Sequence, residues 1–186
     1  SYVMQTIHHV QQSKGVNALH KSSKVKPIQH ELQRTSFLEA INRYHFLLFN
    51  LPQHAKEINQ SVKQDYSYGF AEKMGFRNSY SLPFHPFDFM NWRPFQFIEV
   101  PLHIMDSTFY TYLESSPEQA ERRIIDFLAA HRRGSCLSIL WHNEFFTPFK
   151  YAGWGAVYEE ILKFLFEENA YQCLLPNEIE QKYRIY

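Results

Sequence analysis

A near-continuous apolar hexapeptide, Cys136-Leu137-Ser138-Ile139-Leu140-Trp141, lies between two segments of helical periodicity, 117–133 and 154–168, and this arrangement constrains the fold more than any other feature. A strand apolar on both faces must be covered on both faces, and a parallel sheet flanked by helices does that. The helical segment before it has Ser116 as a cap, Pro117 at its start, and Ile124, Phe127 and Leu128 on one side. Gly134 closes it, and just past the strand the chain presents His142 and Asn143.

The same alternation runs through the rest of the chain. Residues 15–19 read as a short strand delivering His20, 27–42 as a helix opened by Pro27, 44–49 as a strand, 52–62 as a helix and 65–67 as a strand. Strands are also expected over 97–105 and 171–175, with a short helix over 176–183. Residues 2–13 have helix-compatible spacing, with Val3, Ile7 and Val10 on one side. The stretch 69–94, rich in Phe, Pro and Asn, is expected to be irregular and partly exposed. Strands alternating with helices define an α/β chain with a parallel sheet or barrel, and 186 residues suit one domain spanning 1–186.

Lys and Arg together number 19, as do Asp and Glu, so no global field gathers nucleic acid. No apolar run reaches the length of a membrane span, and the N-terminus has neither a basic nor an apolar leader region, which points to the cytoplasm as the default. The first residue is Ser1 rather than Met, which points to further upstream sequence. Cys136 and Cys173, both in apolar surroundings, are expected to be buried free thiols.

In parallel α/β folds chemistry gathers at the carboxyl ends of the strands, and polar residues recur there: His20, Asp65, Asp106 and His142. The landmarks Leu19-His20-Lys21-Ser22-Ser23, Asn42-Arg43-Tyr44-His45-Phe46, Asp65-Tyr66-Ser67-Tyr68-Gly69-Phe70-Ala71, Gly75-Phe76-Arg77, Pro101-Leu102-His103-Ile104-Met105-Asp106 and Leu140-Trp141-His142-Asn143 come in this order. In that order they resemble a bacterial branch of the polysaccharide deacetylase (NodB-homology) family, from about Val16 to the C-terminus.

The resemblance implies a distorted, incomplete (β/α) barrel and metal-assisted hydrolysis of acetyl groups on a glycan. A divalent cation, zinc by preference, would activate water and polarise the acetyl carbonyl, and a late His would protonate the leaving group. Carried over by position, His20 matches a metal ligand, Arg43 the arginine that orients the catalytic carboxylate, and His142 the general acid. Asp65 and Arg77 fall where substrate or supporting contacts are expected, Asp106 is a candidate wall residue, and Trp141 either packs in the core or shapes an acetyl pocket.

Two features depart from the family pattern. Lys24 stands where a second metal-binding His is expected, and residues 1–19 contain no Asp or Glu to supply the family's paired Asp. The implied reading is therefore a deacetylase whose N-terminal strands lie upstream, with that missing segment or a partner covering an open barrel edge near 15–19. The alternative is a non-catalytic saccharide-binding or scaffold protein. His8 and His9 are adjacent and cannot share one face of a helix, so they read as surface residues. His30, His54, His103 and His131 read as surface or satisfied core positions. Phe84-His85-Pro86-Phe87-Asp88-Phe89 reads as an aromatic lid over a core, with Trp92 and Trp154 similar.

Overall fold

The computed structural model describes residues 2–6, 18–20, 41–43, 55–56, 59, 63–167 and 171–183, the first three stretches as strand backbone. The chain is α/β, with short parallel sheets. One sheet has the order β10 (Tyr171–Cys173), β1 (Tyr2–Thr6), β9 (Cys136–Leu140), β8 (Ile104–Met105). The other runs β2 (Ala18–His20), β3 (Ile41–Arg43), β4 (Gln64–Asp65), β7 (Ile98–Glu99). Among the described residues the sheets stay open at β2 and β10.

Residues 98–105 join the two sheets. Ile98 and Glu99 pair with Gln64 and Asp65 in one sheet, whereas Ile104 and Met105 pair with Ile139 and Leu140 in the other. Between them Leu102 donates its N–H to the Tyr68 carbonyl at 3.0 Å and forms a parallel bridge with Gly69. The backbones approach so closely that a Cβ on residue 69 would lie 2.6 Å from the Leu102 carbonyl oxygen, so only glycine fits.

Strand alternation divides the core in two. Leu137, Ile139 and Trp141 face helices α1 (Pro117–Ala130) and α2 (Trp154–Glu167), meeting Ile124, Leu128, Trp154 and Ile161. Cys136 and Leu140 join Tyr66, Ile98, Val100 and Leu102, closed off by Leu174 and by Ile179 of α3 (Pro176–Lys182). Each fully buried large apolar side chain contributes about 1.5–3 kcal/mol. Helix α1 starts as its sequence dictates: Ser116 Oγ accepts the Gln119 N–H at 3.3 Å and the Gln119 side chain accepts the Ser116 N–H at 3.0 Å, a reciprocal cap. No helix among the described residues is long and apolar enough to cross a membrane.

Four sequence expectations are corrected. Residues 2–6, expected within a helix, form the strand β1, paired on both sides. Tyr2, Val3 and Thr6 suit a strand, and hydrogen bonds to two neighbouring strands outweigh a weak helical spacing. The helix expected over 27–42 does not include its last residues, since Ile41–Arg43 is the strand β3, and the strand expected over 44–49 lies outside the described residues. Both thiols are free, but Cys173 is exposed because β10 is an edge strand. The aromatic stretch covers the core only in part: Phe84 and His85 are half-buried, whereas β5 (Phe87–Asp88) and β6 (Arg93–Pro94) form a hairpin whose tip leaves Phe89 and Trp92 73 % and 80 % exposed. Trp154, by contrast, lies in the core.

Candidate functional site

Asp106 and His142 extend β8 and β9 by one and two residues, and the Met105–Leu140 register brings them together. The Asp106 carboxyl is fully buried and receives four donors. Ser107 N–H and Oγ donate to Oδ1 at 2.5 and 3.0 Å, and the His142 backbone N–H donates to Oδ2. The His142 ring sets Nδ1 2.6 Å from Oδ1, with Ser107 Oγ 3.4 Å from the same nitrogen. An Asp at Nδ1 fixes the ring plane and turns Nε2 away from the carboxyl. The His142 side chain is 27 % exposed, so this held imidazole reaches solvent.

The loop that follows Asp106 is shaped to keep it there. Thr108–Tyr112 forms a single π-helical turn, closed by Leu113 N–H to the Thr108 carbonyl at 3.0 Å, a wide turn that recurs at functional positions. It sets Phe109 in the core and Tyr110 against Phe145, Tyr151 and Trp154. Phe145 in turn lies 6.2 Å from the His142 ring. An aromatic wall thus stands beside the imidazole.

Asp65 and Glu99 make a second polar cluster, side by side in register on β4 and β7. They face away from Tyr66, Ile98 and Val100, as alternation requires. Ser67 Oγ donates to Asp65 at 2.9 Å, and Tyr68 N–H donates to Glu99 Oε1 at 3.0 Å. Glu99 Oε2 meets no donor among the described residues. Burial pushes the Glu99 carboxyl well above the usual range and the neighbouring Asp65 carboxylate pushes it further; the Tyr68 N–H and the Arg77 charge pull the other way without reversing it. The pair is satisfied when Glu99 carries a proton and gives it to Asp65. Arg77 donates to the Gly69 carbonyl at 2.9 Å and lies 4.7 Å over the Tyr68 ring, tying the loop to the cluster.

The other sequence candidates are placed as follows. His20 and Arg43 are register partners at the ends of β2 and β3, so their backbones are adjacent. Trp141 is 1 % exposed and packs against Trp154 and Tyr158, leaving no surface for a ligand. His103 is buried, its Nδ1 accepting the Ser138 N–H at 3.2 Å, its ring against Phe76. Desolvation, reinforced by nearby His131, brings His103 down to about 3, so it stays neutral. His8, His9, His30, His54 and Lys24 lie outside the described residues.

Sequence reasoning missed Glu99 and Ser107. The signal for Glu99 was a lone acidic residue inside the apolar run Phe97-Ile98-Glu99-Val100. Ser107 carried no signal beyond its place after Asp106. Among the described residues no group of three or more His, Cys, Asp or Glu is placed to hold a metal ion. Compared with protein-family models, curated proteins and solved structures, the chain matches none.

Proposed function

We propose that the chain is a polysaccharide-deacetylase-like domain that removes acetyl groups from a glycan, with His142 as the proton donor. The observation that carries this reading is the Asp106–His142 pair, a buried carboxyl holding a solvent-reaching imidazole just beyond the ends of two parallel strands. With Nδ1–H given to Asp106, a proton on Nε2 makes an imidazolium opposite a buried acceptor, and that proton can pass to a departing amine or alkoxide. Phe145 and the Tyr110 cluster exclude water from one side. In this reading the two sheets are the wall of a (β/α) barrel, joined along 98–105, with upstream sequence or a partner covering the open edge.

The zinc that the resemblance implies would take His20 as a ligand. The described residues do not assemble the remaining donors. One observation favours a second reading, a saccharide-binding domain without hydrolysis: Lys24 occupies the position of the second metal-binding His.

The test is acetate release from partially acetylated oligosaccharides with zinc present, beside zinc stoichiometry by metal analysis. Release that falls at least about 100-fold in His142→Asn with oligosaccharide binding retained, and zinc that is lost in His20→Ala, are the expected results. Binding without release selects the second reading. Neither binding nor release sinks both.

A further inference from the structure

The β5–β6 hairpin displays what a soluble turn normally avoids. Phe87, Phe89, Met90 and Trp92 are 41 %, 73 %, 73 % and 80 % exposed, and Phe87 touches the rings of Phe89 and Trp92 edge-on, with centroids 5.1 and 6.3 Å apart. The three rings thus form one exposed aromatic cluster, with Met90 exposed in the same turn. An exposed contiguous apolar patch marks a contact surface.

The tip is held rather than collapsed. The Asp88 carboxylate accepts Met90 N–H at 2.9 Å, Asn91 N–H at 3.3 Å and the Asn91 side-chain amide at 2.7 Å. Trp92 adopts φ 51°, an uncommon backbone for a bulky residue, and remains exposed.

We infer that this hairpin docks on a bilayer surface, its four apolar side chains entering the headgroup region of anionic lipid. Side-chain chemistry selects lipid: Trp and Phe are residues that settle at the membrane–water interface. Charge agrees: Arg93 is exposed at the base of the tip, Lys56 lies close enough to act on Asp88, and the one acidic group of the hairpin is buried and occupied by its three donors. A saccharide platform would need polar groups to meet hydroxyls, whereas Asp88 and Asn91 spend theirs on closing the turn.

The chain contains three tryptophans, and Trp141 and Trp154 are 1 % and 2 % exposed, so a change in emission on ligand addition reports Trp92. The experiment titrates the full chain with vesicles of phosphatidylglycerol and phosphatidylcholine at low salt, with and without brominated acyl chains. Expected are a blue shift, quenching by the brominated lipid, co-sedimentation that weakens with salt, and a fall in partitioning of about tenfold or more for each of Phe89→Ser and Trp92→Ser. Arg93→Gln flattens the salt dependence. Unshifted emission with vesicles overturns the inference, as does equal sedimentation of the parent chain and a variant carrying both Phe89→Ser and Trp92→Ser. A shift produced by acetylated oligosaccharide and not by vesicles overturns it in favour of a sugar platform. Because the substituted side chains are exposed, the far-ultraviolet circular dichroism of each variant should match that of the parent chain.

Discussion

The carboxyl groups of Glu99 and Asp106 are carried by one stretch of chain, the run that joins the two sheets, and both are buried, at 1 % and 0 % exposure. Their surroundings differ. Asp106 has four donors aimed at its two oxygens, one of them on a ring that reaches solvent. Glu99 has the Tyr68 N–H on one oxygen, no donor on the other among the described residues, and another carboxyl nearby. Equal burial therefore yields two kinds of site: one carboxyl that holds a neighbouring ring in place, and one pushed upward by burial and by a second carboxyl. Burial raises Glu99, and the carboxyl beside it adds to that rise, whereas Asp106 faces hydrogen-bond donors.

The strongest way to break this comparison is to remove the acceptor at the better-supplied site. Asp106→Ala takes the buried acceptor away from the His142 backbone N–H and ring and from Ser107, and is expected to cost about 3 kcal/mol in urea unfolding, with Asp106→Asn costing roughly half as much. A loss under about 0.5 kcal/mol would mean that water replaces the carboxyl and that His142 is not held by it.

Glu99 sharpens the contrast through pH. Its native carboxyl binds a proton more tightly than the unfolded one, so its stabilising contribution is complete below the ordinary carboxylate range and is lost as pH rises through the elevated native value. Glu99→Gln should remove that decline, at most about 1.4 kcal/mol per pH unit, and make the variant the more stable protein at pH above the elevated native value. Parallel stability curves for the two proteins would show that Asp65 and Glu99 do not share a proton.

The smallest expected effect is that of Arg77→Ala, about 1 kcal/mol, from loss of its bond to Gly69 and its place over Tyr68. The diagnostic is again pH: with the Arg77 charge gone, Glu99 holds its proton to higher pH, so the stability decline moves upward. An unmoved decline would remove Arg77 from the cluster.

Much of the frame was legible because it is written locally. The all-buried strand β9, the capped helix α1 and the helix α2 follow from runs and periodicities within a few turns of chain. His142 could be placed at a strand end for the same reason. What escaped was written at long range. The strand β1 is defined by Val3 lying beside Cys136 and Gln172, which no window of neighbouring residues contains. Asp106 read as a wall residue because its partner His142 is 36 positions away. Likewise, an aromatic count cannot say whether Phe89 and Trp92 turn inward; that depends on Asp88 closing the turn beneath them.

The sharing of residues 98–105 between the sheets has a mechanical consequence. A stretch that is the border of one sheet at its beginning and of the other at its end acts as a splice, because neither sheet can shed it without unzipping its own last ladder. Amide exchange should therefore find Val100, Leu102 and His103, whose N–H groups bond to Asp65, Tyr68 and Ser138, opening together rather than in two steps. Gly69, with no room for a methyl group against Leu102, lies midway along that splice.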